Sequence, residues 1–234
     1  MAHDNYSSVR PAGQRSLGLR RGTVSLGRQT MAGLRVLLVL TLLLGVAYPL
    51  AVFAVGQVGL RWQANGSLLR ADGSRAESVS AGAGTDNPVI GSALVGQQLT
   101  GDEWFQPRPS AAGDGYDTLA SAGSNLGPLN PDLVAAIEER RAAIAAADGV
   151  APGEVPPDAL TASASGLDPH ISPAYAELQV DRVAAARDLD PAEVEALVSA
   201  HTQGRDLGVL GEDRVTVLEL NLAVEALSLE KMSS

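Results

Sequence analysis

His3, His170 and His201 are the only side chains in this 234-residue chain whose ordinary titration falls near neutral pH, and the chain has no cysteine. A serine–histidine hydrolytic site would need a serine beside one of them. Ser165 and Ser172 flank His170 in the run Gly166-Leu167-Asp168-Pro169-His170-Ile171-Ser172-Pro173. A Ser165 or Ser172 nucleophile working with His170 is therefore one expectation, although no nucleophile elbow surrounds either serine. The plainer reading of Asp168-Pro169-His170 is a hydrogen-bonded turn ahead of a helix. No two histidines have metal-ligand spacing, so no metal site is expected. Lys231 is the sole lysine, four residues from the end, which excludes a self-sufficient phosphate-binding loop of the usual kind. Backbone amides in 121–127 could face an anion, which makes Gly123, Ser124, Asn125 and Gly127 the candidate nucleotide contacts. A structured turn is the simpler use of the same residues.

Three helices must position these groups. They open at Asn130-Pro131, Ser172-Pro173 and Asp190-Pro191, each a capping side chain followed by proline at the first helical position. Their inward stripes are Leu133, Val134, Ile137 and Ile144; then Leu178, Val183 and Leu189; then Val194, Leu197 and Val198. Residues 101–131 hold five glycines and four prolines and read as a long loop. The run 215–218 reads as a short strand and 221–227 as strand or helix, since periodicity does not separate them. The expected class is α+β, with more helix than sheet.

Residues 36–58 carry no charge, and 23 helical residues span about 34 Å, enough for a hydrocarbon core of about 30 Å. The run exceeds the roughly 7–15 apolar residues of a cleaved signal peptide, and Trp62 follows where an interfacial aromatic sits. An uncleaved anchor is expected, with Pro49 inside it. The chain carries 17 basic and 27 acidic residues, a net of −10, and mean hydropathy is +0.08. That charge is divided unevenly. Residues 1–35 hold six arginines against Asp4, a net of +5, and the remainder holds −15. The positive-inside rule puts the N-terminus in the cytoplasm and the acidic part outside. The acidic balance and eight aromatic residues argue against a nucleic-acid partner. The expected organisation is a disordered basic cytoplasmic tail (1–33), a transmembrane helix (34–60), a flexible connection (61–90) and an extracytoplasmic domain (91–230).

Two runs are too idiosyncratic for generic loops. One extends from Gly91 through Arg108-Pro109-Ser110 to Gly123-Ser124-Asn125-Leu126-Gly127-Pro128-Leu129-Asn130-Pro131; the other is 162–173. With Gln179, Arg182, Arg187 and Leu210-Gly211-Glu212, they resemble the C subunit of the Kdp-type potassium-transporting P-type ATPase over roughly residues 34–228. Gln106-Pro107, Ala122 and Ala164 depart from that family's usual His-Gly, Gly and Gly. The resemblance implies a non-catalytic, single-pass subunit of the cell membrane with no cofactor of its own; ATP and potassium act elsewhere in the complex. Its implied partners are the P-type ATPase subunit, a potassium-channel-like subunit, a small single-span subunit and the lipid bilayer. Assembly, and a raised nucleotide affinity or coupling of the ATPase subunit, are the implied roles. The implied motif residues are Arg108, Pro109, Asn130, Pro131, Gly166, Asp168, Pro169 and His170. The reading that competes with it is a membrane-anchored extracytoplasmic hydrolase using a serine with His170.

Overall fold

The computed structural model describes residues 14–80 and 84–233, with side chains from residue 26 onward outside that gap. These fall into two units divided after Leu60. The first is helical throughout: α1 (Gln14–Leu42), a π-helical turn (Leu43–Ala47) and α2 (Tyr48–Gly59). Of the tail expected to lack structure, residues 1–13 lie outside the described residues, while from Gln14 the backbone is helical. No proline occurs between Pro11 and Pro49 to stop a helix nucleated in the apolar run. Pro49 has no N–H to donate. The widened turn ahead of it sends the Tyr48 N–H to Leu43 O, five residues back, and the helix resumes through Pro49. Leu26–Gly59 is long and apolar enough to cross a membrane, and none of its most apolar stretch is buried in the chain.

The second unit begins with α3 (Arg61–Ala64) and a three-stranded antiparallel sheet, β1 (Leu68–Arg70), β2 (Arg75–Ala76) and β3 (Val89–Ser92), ordered β2-β1-β3. The segment expected as a flexible connection is thus built into the domain. Leu69 and Ala93 pack with Leu218, Leu222 and Trp62. The Trp62 indole donates to Leu68 O at 2.8 Å, and Arg75 stacks 4.2 Å from its ring centre. That is a folded environment for a residue expected at a membrane interface.

The main core is helical. It comprises α4 (Pro131–Asp148), a 3₁₀ turn (Pro152–Glu154), α5 (Pro157–Leu160), α6 (Pro173–Arg187), α7 (Pro191–His201) and α8 (Val217–Met232). The three sequence-predicted starts hold. The side chain of Asn130 accepts from Asp132 N, that of Ser172 from Tyr175 N and that of Asp190 from Ala192 N. Gly149 ends α4 in a left-handed cap. Val183, Val194, Val198, Leu220 and Val224 are buried together, whereas Val134 of the expected α4 stripe is exposed. A second small sheet, β4 (His170–Ile171), β5 (Thr202–Gln203) and β6 (Arg214–Thr216), is antiparallel with β6 central. The expected strand at 215–218 stops at Thr216, where the chain turns directly into α8. The ambiguous run 221–227 is helix.

Candidate functional site

The two distinctive runs meet in the second unit. Ser121 Oγ donates to Ser165 O at 2.9 Å, and Ser110 Oγ donates to Gly166 O at 2.6 Å while accepting from Ala112 N and Tyr116 N. Gly166 has φ +66°, and a Cβ there would stand 2.7 Å from both Ala112 N and Ala122 O. Only glycine fits between these two backbones. Gly123 is a milder case, its missing Cβ lying 3.0 Å from Ala164 O. The chain from 163 to 168 is therefore threaded between 108–116 and 121–123.

An ion pair closes this arrangement. Arg108 Nη1 donates to Asp168 Oδ2 at 3.0 Å and Nη2 to Thr161 O at 3.3 Å. The other oxygen of Asp168 accepts from His170 N at 3.0 Å and lies 3.3 Å from His170 Nδ1. Partial burial opposes the charge on Asp168, but hydrogen bonds from His170 and the Arg108 guanidinium outweigh it and hold this carboxyl below its usual range. Tyr116 Oη donates to Arg108 O at 2.5 Å, and burial pushes this phenol up to about 12, so it stays a neutral donor. Pro109 follows Arg108 in the extended loop, and Pro169 O accepts from Val217 N at 3.0 Å, tying the turn to the start of α8. Asn130 and Pro131 serve as cap and first residue of α4.

Arg108, Asp158, Asp168, His170, Ser172 and Arg214 line a cleft of about 320 Å³. Its serine is committed elsewhere. Ser172 Oγ donates to Asp158 Oδ1 at 2.9 Å and accepts from Tyr175 N at 3.1 Å, while Ser172 N donates to Asp158 Oδ2 at 2.7 Å. Ser165 Oγ accepts from Leu167 N at 3.1 Å. Among the described residues neither serine is hydrogen-bonded to His170, so the expected serine–histidine pair is not assembled: local capping takes both hydroxyls. Nor do three or more His, Asp or Glu side chains gather as metal ligands among them.

The loop 121–127 is different in kind. Ser124, Asn125, Leu126 and Gly127 are exposed. Asn125 has φ +53°, and a Cβ on Gly127 would meet nothing within 4 Å. The candidate nucleotide contacts thus lie on an open surface, with only Gly123 packed.

Asn221 is a positioning residue that the sequence reading missed. Buried on α8, it accepts from Phe105 N at 2.8 Å and donates to Phe105 O at 3.0 Å, holding the loop backbone as a neighbouring strand would. Gln179 on α6 does the same for Gln106, at 2.6 and 3.3 Å. Arg182 reaches Asp102 O and Trp104 O and pairs with Asp148 at 2.7 Å. Arg187 donates to Glu103 O and stacks 4.3 Å from the Trp104 ring centre. An amide inside the apolar run Leu220-Asn221-Leu222-Ala223-Val224 was the available signal for Asn221, since a polar group in a buried stripe needs a specific partner.

Comparison with known proteins bears on this architecture. The sequence family described as "K+-transporting ATPase, c chain" matches residues 30–226. The potassium-transporting ATPase KdpC subunit of Kineococcus radiotolerans is 57% identical over 199 residues, covering 85% of this chain and 94% of that one. The corresponding subunit of Mycobacterium bovis is 50% identical over 201 residues, 86% and 99% of the two chains. That of Beijerinckia indica is 48% identical over 190 residues, 81% and 89%.

Proposed function

Because the chain belongs to the c-chain family of the K+-transporting ATPases, we propose that it is the accessory, non-catalytic subunit of an ATP-driven potassium-uptake complex. In this reading it assists assembly and raises the nucleotide affinity or coupling of a separate P-type ATPase subunit, beside a potassium-channel-like subunit and a small single-span subunit. Leu26–Gly59 crosses the cell membrane once, with the basic N-terminus cytoplasmic and the acidic domain outside. ATP then lies across the bilayer from the domain, so any influence on its binding is a coupling free energy carried through packed subunits.

The observation that carries the reading is the use made of the polar residues in the two distinctive runs. Arg108, Ser110, Asp168, His170 and Ser172 bond to one another, to Asp158 or to nearby backbone, as a rigid docking module requires. The test is genetic and topological. Deleting the gene should abolish growth at low potassium, and the intact chain should restore it. Protease added outside intact cells should cut within the exposed residues 77–80 or 84–86. Growth unaffected by the deletion would refute the pump assignment, and cleavage only from the cytoplasmic side would refute the orientation.

A further inference from the structure

The hairpin joining β5 to β6 has a feature that its own fold does not explain. Asp206 and Leu210 form a narrow antiparallel pair, each N–H donating to the other's carbonyl at 2.9 Å. Between them Leu207 has φ +55° and Gly208 φ +75°. Two successive positive φ values are the mark of a primed hairpin turn, where Asn-Gly is favoured because a branched side chain is strained. Here a leucine occupies the first position. Its side chain recovers nothing for that strain within the chain, since Leu207 is 90% exposed, with Val209 at 73% and Leu210 at 57%. Three aliphatic side chains thus stand on a braced tip, steadied by the Arg214–Asp206 ion pair at 3.4 Å. The tip is flanked by Asp206, Glu212 and Asp213 against Arg205 and Arg214.

We propose that the Leu207-Gly208-Val209-Leu210 tip is a docking knob that inserts into an apolar socket with a basic rim on another subunit of the pump. The proposal rests on the accessory-subunit reading above. Strain held at an exposed apolar residue is recovered when a partner buries that residue. The rim decides the kind of partner. An anionic lipid surface attracts basic segments, whereas this tip carries three carboxylates against two guanidiniums in a segment of net −15. A second copy would set like charges together.

The test uses the full chain co-expressed with the other pump subunits. The variant Leu207→Asp/Val209→Asp/Leu210→Asp should retain the wild-type melting temperature within about 2 °C, because no buried contact is lost. Its recovery of the other pump subunits on co-purification should fall by about tenfold or more, the equivalent of about 1.4 kcal/mol. As the chain has no cysteine, Val209→Cys supplies a second reading. An impermeant maleimide should modify it about tenfold more slowly in the assembled complex than in the isolated chain in the same detergent. Undiminished co-purification of the triple variant, or equal labelling rates, would overturn the knob. So would equal protection of the isolated chain in phosphatidylglycerol-containing vesicles, which would mean lipid, or protection that appears only with a second copy. Failure of the wild-type chain to co-purify with any pump subunit would instead remove the accessory-subunit reading, and the knob with it.

Discussion

The runs 123–131 and 165–173 are equally distinctive as sequence, yet the fold uses them in opposite ways. In 165–173 the polar groups are engaged: Gly166 lies between two backbones, Asp168 ties Arg108 to the His170 turn, and Ser172 caps α6 while held by Asp158. In 123–131 the ends are fixed, by Gly123 against Ala164 and by the Asn130 cap, but the middle is exposed. Leu129 is 93% exposed, and no hydrogen bond holds the side chains of Ser124 and Asn125 among the described residues. The contrast teaches that a distinctive motif has two physical origins. One is a local geometry only those residues can make, as at Gly166. The other is an exposed surface that the fold itself does not require, as at Ser124 and Asn125.

Substitutions can break or sharpen this contrast. Gly166→Val should have the largest effect, combining a β-branched residue at positive φ with two backbone collisions. A loss of about 3 kcal/mol or more is expected, read by calorimetry as a fall in melting temperature of about 6–12 °C. Asp168→Asn should cost about 1–3 kcal/mol by leaving Arg108 without its anion. This variant also tests the pH dependence. The folded-state pKa of Asp168 is depressed, so its stabilisation is present above the ordinary carboxyl range, near pH 4, and is lost as pH falls through the folded value. The wild type should lose stability relative to Asp168→Asn across that acidic window and not above it. Ser172→Ala should cost about 1 kcal/mol through the α6 cap. Ser124→Ala should change stability by less than about 0.5 kcal/mol, and a loss as large as that of Asp168→Asn would erase the distinction between the two runs.

The helices were legible in the sequence because their signals are local. A capping side chain, a proline at the first turn and an apolar stripe are sufficient at Asn130, Ser172 and Asp190. The long apolar helix was legible for the same reason, as 23 residues without charge. What was not legible depends on contacts far apart in sequence. Asn221 and Phe105 are separated by 116 residues, and nothing local announces that a helix amide will hold that loop. The segment 61–90 looked like a connection because its strands have two to four residues each, too short for periodicity to show. Asp168 and His170 were singled out correctly as a turn, but nothing local announces the partnership with Arg108, 60 residues away in sequence. The serine–histidine reading failed where sequence adjacency was taken for geometry: Ser172 is two residues from His170 and is bonded to Asp158 instead.

The role proposed for this chain in potassium transport is coupling, with no chemistry of its own. The most direct measurement is potassium-stimulated ATP hydrolysis by the reconstituted pump as a function of ATP concentration, with and without this chain. The purified chain should show no hydrolysis, and a complex lacking it should be inactive or need a higher ATP concentration for half-maximal rate. An unchanged ATP dependence and rate in its absence, or hydrolysis by the chain alone, would refute the coupling role.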